Sequence, residues 1–487
     1  MWLPSLRKPL TIADVYMLKR TFLLVSMLLC ALWAQTEEVR VRLYSTNRVE
    51  VISLSVDLGN YQLMVGDSVL ETGASDEVAC QIRASAKGVD LKINSMDYGT
   101  FSSLRLHALD TACILCLNPQ GAKQRTYEGD VELSALNSTA LRIINVVDFE
   151  TYIAGVVQSE IYGTLPDIFR IQAIISRTWA LRNRNKHKSE GFNFCDQVHC
   201  QAYLNRCVRP DIMLGTLRSM GETIVDADGK LIETPFHSNS GGQTANSEDV
   251  WRAALPYLRS TPDTFSYRMR QSQWTVVIPR DKWLSYFANT HHLNVRNDSV
   301  RTKLLGFQQP ERQARICGVP LTRVRVDFKL KSTFFDVSEG VDGNVVLSGR
   351  GYGHGVGLSQ EGTIRMVGLG YSYDSIIRHY YRGSRLQYDD EQTSLYAAGY
   401  IAQIEQIIAD DMANPSKVRS KKDDWLGMLF RIRNRQLREE EYDEKKAELE
   451  KDWNYEFSGT NGTKSPSAAV AVPQKGTPPA EEGEYNW

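Results

Sequence analysis

The stretch GVVQSEIYG, residues 155 to 163, places one carboxylate among apolar side chains. On a helix, Ile153, Val156, Val157, Glu160 and Ile161 recur at i, i+3, i+4, i+7 and i+8, so Glu160 shares the buried face. Apolar surroundings disfavour the charged form of a carboxyl group, and its pKa rises until it can stay protonated near neutral pH. That is the state a general acid needs. Two plainer assignments compete: an ion pair with an arginine such as Arg177, or a frayed helix end in water.

A second group of reactive side chains follows. CDQVHC brings Cys195, His199 and Cys200 together, with His187 eight residues upstream. Thiolate and imidazole ligands suit Zn²⁺. Adjacent His199 and Cys200 can reach one ion only where the backbone turns, and a Cys195–Cys200 disulfide is the competing assignment. Cys207 is a spare candidate for either role. HSNSGG sets the short polar groups of Ser238, Asn239 and Ser240 beside Gly241 and Gly242, on a turn where the backbone can approach a sugar. No Asp–His partnering is readable around Ser240, which argues against a covalent nucleophile. GRGYGHGVGLSQ alternates glycine from Gly349 to Gly357 around His354, but no three of them fit G-x-G-x-x-G. Such a run lets the backbone pass close to another segment or a ligand. Cys113 and Cys116 form a CxxC in a strand-like apolar run and are expected to be core thiols or a labile disulfide.

These residues need a scaffold. From Val39 to about Leu136, alternating runs such as VRVRLYS and VISLSVD predict β-strands in a half-exposed sheet. Between about 148 and 185 the period becomes helical: one helix carries Glu160, and a second starts near Pro166 and Asp167 and runs through Ile168, Ile171, Ile175 and Trp179. Strands return after Thr216, with Asp228-Gly229 marking a hairpin turn. Residues 335 to 390 predict a strand, a glycine-rich bend and two helices. The end of the chain is densely charged and helix-prone, and beyond Ser458 its composition predicts disorder.

At 487 residues the chain has room for more than one core. A formal net charge of -1 offers no general attraction to nucleic acid or anionic membranes. Lys19 and Arg20 precede the apolar run TFLLVSMLLCALWAQ, which has the length of a signal-peptide core, with cleavage near Ala34 or retention as an anchor as its two outcomes. Met17 is a second possible start. The expectation is an exported protein of the periplasm or cell envelope, touching the membrane only through an uncleaved signal segment. Removing Cys30 with the signal leaves seven cysteines, an odd number.

Four blocks, YIAGVVQSEIYGTLPDIFRIQAIISRTWALRNR, FCDQVHCQAY, FHSNSGGQTANSEDVWRAALPYLRS and GRGYGHGVGLSQEGTIRMVGLGYSYDSIIRHYYRGSRL, resemble in content and order the SpoIID/LytB domain of sporulation protein SpoIID and amidase-enhancer proteins. The resemblance covers roughly 130 to 390. It implies a lytic transglycosylase of peptidoglycan with Glu160 as acid/base, and His354 and Gln360 near it. It also implies that Ser238, Asn239, Ser240, Gly241, Gly242, Gly353 and Gly355 line the glycan groove. Zinc held by Cys195, His199, Cys200 and His187 is implied too, more in a structural than a catalytic role. Glycan strands, and a cell-wall amidase or other envelope protein, are the implied partners; a non-catalytic amidase enhancer is the alternative. The expected architecture is α+β: a signal peptide (1–34), a β-rich module (35–129), a mixed helix/strand catalytic domain (130–390) and a charged helical to disordered tail (391–487).

Overall fold

The computed structural model describes residues 37–389 apart from 75–78 and 111–112, and also 401, 402, 404–409 and 413. The signal segment and the charged tail from 414 onward lie outside the described residues.

Among the described residues twelve strands come first: β1 (Glu38–Leu43), β2 (Val51–Leu58), β3 (Asn60–Val65), β4 (Ser68–Ala74), β5 (Ala79–Ser85), β6 (Gly88–Ile93), β7 (Met96–Phe101), β8 (Ser103–Ala108), β9 (Ile114–Pro119), β10 (Arg125–Tyr127), β11 (Asp130–Asn137) and β12 (Ala140–Asp148). A two-residue strand, β13 (Phe194–Cys195), joins them later. One sheet runs β13-β1-β12-β11-β8-β3-β4 and the other β10-β9-β2-β5-β6-β7. Side-chain alternation explains the pairing: β5 buries Cys80, Ile82 and Ala84 and turns Gln81 and Arg83 outward. Inward residues of both sheets, among them Val41, Ile52, Leu54, Leu91, Leu106 and Val131, share one core. β11 and β12 are interior strands of the first sheet. The sheet is therefore continuous across residue 130, where the sequence led us to expect a boundary. Cross-strand hydrogen bonding, which local pattern does not register, joins the two sides.

β12 leads directly into α1 (Phe149–Glu160), whose first turn is capped by Asp148 accepting from the Thr151 N–H at 2.9 Å. α2 (Pro166–Arg182) and α3 (Pro210–Arg218) pack beside it. α2 is apolar on two sides: Ile168, Phe169 and Ala173 face the strand core, while Ile171, Ile174 and Ile175 enter a second core. That second core also takes Ile224 from β14 (Glu222–Val225) and Leu358, Ile376, Ile377 and Tyr380 from the C-terminal part of the fold. The Asp228-Gly229 turn forms as expected, Val225 bridging Leu231 across it.

After β15 (Phe236–His237) the chain builds a third unit: β16 (Gln273–Pro279), α4 (Arg280–His291), α5 (Asp298–Leu305), α6 (Leu321–Asp327), β17 (Phe335–Glu339) and β18 (Asn344–Arg350). β18 lies between β16 and β17, and Trp283, Phe287, Leu304, Val337 and Leu347 give the unit its own core. Gln273 pairs with Arg350, so the unit leaves and rejoins the chain at one place. It sits between the HSNSGG and GRGYGHG segments, a position not foreseen from the sequence. β19 (Leu358–Ser359) then pairs with β15, α7 (Gln360–Gly368) and α8 (Tyr373–Tyr380) follow, and β20 (Arg385–Tyr388) returns to β14. Helices and mostly antiparallel strands are segregated, an α+β fold. No helix among the described residues is long and apolar enough to cross a membrane.

Residues 401–409 modify the expected tail. They are helical where described, Ile404 and Ile407 are buried in the strand core, and Glu405 pairs with Arg218 at 2.5 Å. A stretch assigned to the tail (391–487) thus carries isoleucines that pack into the strand core. Ile404→Ala should cost about 2–4 kcal/mol of stability in urea unfolding. The form truncated after residue 389 should melt at a lower temperature than the form truncated after 413. Equal melting of both truncated forms would show that this helix adds nothing to the fold.

Candidate functional site

Glu160 is the last residue of α1, and the segment 202–208 runs along that helical turn. Every second residue is tied to it. The Ala202 N–H donates to Glu160 Oε1 at 2.7 Å, Leu204 N–H donates to Ser159 Oγ at 3.2 Å, Arg206 O accepts from Gln158 Nε2 at 2.9 Å, and Val208 N–H donates to Gln158 Oε1 at 2.7 Å. Gly155 permits the approach: a Cβ there would lie 2.4 Å from the Tyr203 ring and 2.9 Å from Asn205 O.

Ile153, Val156, Val157 and Ile161, the stripe expected around the acid, are all buried. Glu160 itself keeps part of its surface open, while protein atoms crowd its carboxyl group. That desolvation raises its pKa to about 7, opposed only by the Ala202 N–H. Arg177, the candidate partner, is committed elsewhere. It is fully buried and pairs with Glu150 through Nε at 2.8 Å and Nη2 at 2.5 Å. Among the described residues no cation pairs with Glu160.

The four expected metal ligands do come together. His187, Cys195, His199 and Cys200 each offer one ligand atom, all within 4.8 Å of one another, a set that could hold a metal ion. Cys200 Sγ lies 3.4 Å from His187 Nε2 and 3.8 Å from His199 Nδ1, and Cys195 Sγ lies 3.7 Å from the same Nδ1. Glu190 takes His187 Nδ1 at 2.6 Å, which leaves Nε2 facing the cluster. A hydrogen bond from Cys200 pulls the Cys195 thiol down, and the same interaction pushes Cys200 up. The pair thus holds one proton that a bound cation would displace. β13 fixes Cys195 on the sheet edge, and buried Asp196 accepts from Tyr44 N–H at 2.7 Å and Arg125 Nη1 at 2.8 Å. All seven cysteines among the described residues are unbridged. Cys207 stands apart, buried with its thiol on Arg209 O, and Cys113 and Cys116 are buried in the strand region.

The other expected residues are placed differently. Gln360 opens α7 and donates through Nε2 to the Glu160 main-chain carbonyl at 2.7 Å, so it supports the end of α1 rather than touching the carboxyl. His354 Nδ1 accepts from Val356 N–H at 3.1 Å, and burial lowers its pKa to about 4. The neutral form of the ring is therefore favoured at pH 7. It packs against His237 and Trp251. Asn239, Ser240, Gly241 and Gly242 are buried, and only Ser238 of that turn keeps partial exposure. Ser240 Oγ bonds to Asp263 at 2.7 Å and to Ser266 at 2.8 Å. Gly353 and Gly355 have positive φ, and Cβ atoms on them would meet His237 and the Arg312 guanidinium. These groups hold the turns together, and of the residues expected to line a glycan groove Ser238 alone keeps partial exposure.

Two residues at this site were missed. Glu361, fully buried, accepts from Tyr162, Asn239 and the Gln271 main chain, and Tyr162 follows the acid by two positions. The only signal was an acid beside Gln360, in a helix whose apolar residues masked it.

Residues 137–223, which include Glu160, the four His/Cys residues and the 202–208 segment, match a family model described as stage II sporulation protein. The chain is 29% identical over 287 residues to stage II sporulation protein D of Bacillus subtilis, covering 53% of this chain and 80% of that protein. It is 26% identical over 308 residues to the protein of that name from Bacillus amyloliquefaciens, covering 57% and 85%. An amidase enhancer of Bacillus subtilis is 25% identical over 289 residues, 48% of this chain and 40% of that protein.

Two outcomes follow from this geometry. With a folded pKa near 7 against an ordinary value of about 4.3, the folded state binds more protons between those values, so Glu160 makes the protein less stable as pH rises from about 4 to 7. Urea unfolding of Glu160→Gln should therefore gain on the wild type across that window and level off above about pH 8; a difference independent of pH would remove the shift. Elemental analysis should find about one metal ion per chain, lost with a fall in melting temperature in Cys195→Ser. Metal-free protein with a mapped Cys195–Cys200 disulfide would overturn the metal assignment.

Proposed function

We infer that this chain, a member of the SpoIID family, is an exported lytic transglycosylase of peptidoglycan glycan strands. The observation that carries the reading is Glu160: a carboxyl group without a cationic partner among the described residues, partly open to solvent, with a pKa near 7. Protonated Glu160 donates to the glycosidic oxygen between MurNAc and GlcNAc as the bond to the MurNAc anomeric carbon breaks, the bonding pair leaving with that oxygen. The resulting Glu160 carboxylate removes the proton from the same sugar's 6-hydroxyl, whose oxygen closes on the anomeric carbon as a 1,6-anhydro ring. The acid is regenerated and no water is consumed. Because the nucleophile is tethered, no second carboxylate is needed to activate water or form a glycosyl-enzyme.

For the His/Cys cluster the ion we propose is zinc. Tetrahedral Zn–S and Zn–N bonds set S···N edges of about 3.5 Å, close to the 3.4, 3.7 and 3.8 Å separations of these side chains. Four protein ligands fill that coordination, which favours a structural role. The ligand loop ends two residues before Ala202, so its order bears on the N–H that holds the acid.

A second reading, a glycan-binding amidase enhancer that does not cut, is favoured by the relative of that name. Digestion of purified glycan strands separates the two. Wild-type protein should release 1,6-anhydro-MurNAc ends detectable by mass spectrometry. Glu160→Gln, isosteric but unable to donate the proton, should release them at least about 100-fold more slowly while melting no lower than the wild type. Absence of anhydro ends with the wild type, together with stimulation of an added amidase, would support the second reading instead.

A further inference from the structure

Tyr162 stands out beside a desolvated acid: 52% of its surface is exposed, while its neighbour Ile161 is buried. Its position is nonetheless fixed. The hydroxyl donates to Glu361 Oε1 at 2.9 Å, and Glu361 is fully buried. Asn239 Nδ2 at 2.6 Å and the Gln271 N–H at 3.0 Å close on the other oxygen, and that N–H lies 3.2 Å from Oε1 as well. A carboxylate so enclosed by donors cannot reach a substrate, but it makes a strong anchor. Burial of the hydroxyl end and the Glu361 charge raise the phenol pKa to about 12, so Tyr162 remains a donor at any working pH. The hydroxyl is thus pinned while the ring faces solvent.

A second exposed tyrosine is held by its main chain rather than its hydroxyl. Tyr267, 48% exposed, lies against Gly242, where a Cβ would come within 2.2 Å of its ring. Its carbonyl accepts from Arg365, one turn along α7 from Glu361. An exposed aromatic face whose hydroxyl is fixed to a helix, as in Tyr162, suits the C–H faces of pyranose rings, whose polarised hydrogens meet the negative aromatic face.

We propose that Tyr162 is a sugar-stacking platform of the subsite next to Glu160 and that Glu361 is the positioning residue that holds its ring there. The assignment rests on the glycan-cleaving reading above. Glu361 is not a second catalytic carboxylate, because its oxygens are buried and occupied by protein donors.

Binding should be measured in the Glu160→Gln protein, which cannot turn substrate over, by calorimetric titration with purified glycan oligosaccharides stripped of stem peptides. Adding Tyr162→Ala should weaken binding about tenfold. Tyr162→Phe, which keeps the ring but loses its anchor, and Glu361→Gln, which turns an amide donor toward donors, should each weaken it about threefold. Melting of each variant is recorded alongside, because a merely structural role would shift melting and leave the affinity of the folded protein unchanged. Equal affinity of the Tyr162→Ala and parent proteins would overturn the subsite. Failure of the Glu160→Gln parent itself to bind glycan would overturn the proposed function, and the subsite with it.

Discussion

The buried guanidinium of Arg177 sets the conditions for everything around it. Nε and Nη2 meet the Glu150 carboxylate, Nη1 donates to Ser219 O at 2.7 Å, and further contacts reach Thr216 O and Glu222 O. A buried ion pair is tolerated only when its remaining donors are met, and here they are. The arrangement joins α1, α2, the end of α3 and the start of β14 at one point. It also decides the electrostatics of the acid. Glu150 and Glu160 lie on the same helix, and Arg177 pairs with the first, while desolvation sets the state of the second.

What desolvation starts, hydrogen bonding limits. A carboxylate with several N–H donors would have a depressed pKa, and one with none would be costly to ionise. Glu160 accepts one main-chain N–H, from Ala202. That N–H is placed by a segment tied along the helix at alternate residues, and the same segment emerges from the His/Cys loop anchored to the sheet edge by β13 and Asp196. Gln360 secures the Glu160 carbonyl from the opposite side. The acid is therefore held at its main chain and at one oxygen, with the other oxygen free of protein partners among the described residues.

The polar turns form a second layer. Ser240, Asp263 and Ser266 make a closed hydrogen-bonded group, and Asn239 reaches Ser266 O and Glu361. Buried polar groups of this kind are stable only when satisfied together. Their effect is to bring the turn after β15, the loop before β16 and the first turn of α7 onto one carboxylate, Glu361. The inserted unit closes the same assembly, because its two ends meet at Gln273 and Arg350.

Much of this was already legible in the chain. The 3.6-residue period placed Glu160 on a buried stripe, the composition of residues 166–182 gave a helix beginning at proline, and the types and spacing of His187, Cys195, His199 and Cys200 assembled a donor set that the fold brings together. Periodicity and ligand chemistry are local properties, and a sequence carries them directly. Pairings between distant segments are not local. That Arg177 meets Glu150 rather than Glu160, that His354 is neutral and held by main chain, that Asn239 and Ser240 turn inward, and that Glu361 fixes Tyr162 from 199 residues away all depend on which segments pack together. The same holds for the sheet that crosses residue 130 and for Ile404 in the strand core. The sequence by itself determined which side chains could do chemistry and the elements that carry them; burial and long-range hydrogen bonding in the tertiary structure decided that Glu150 is paired with a buried arginine while Glu160, among the described residues, has no cationic partner.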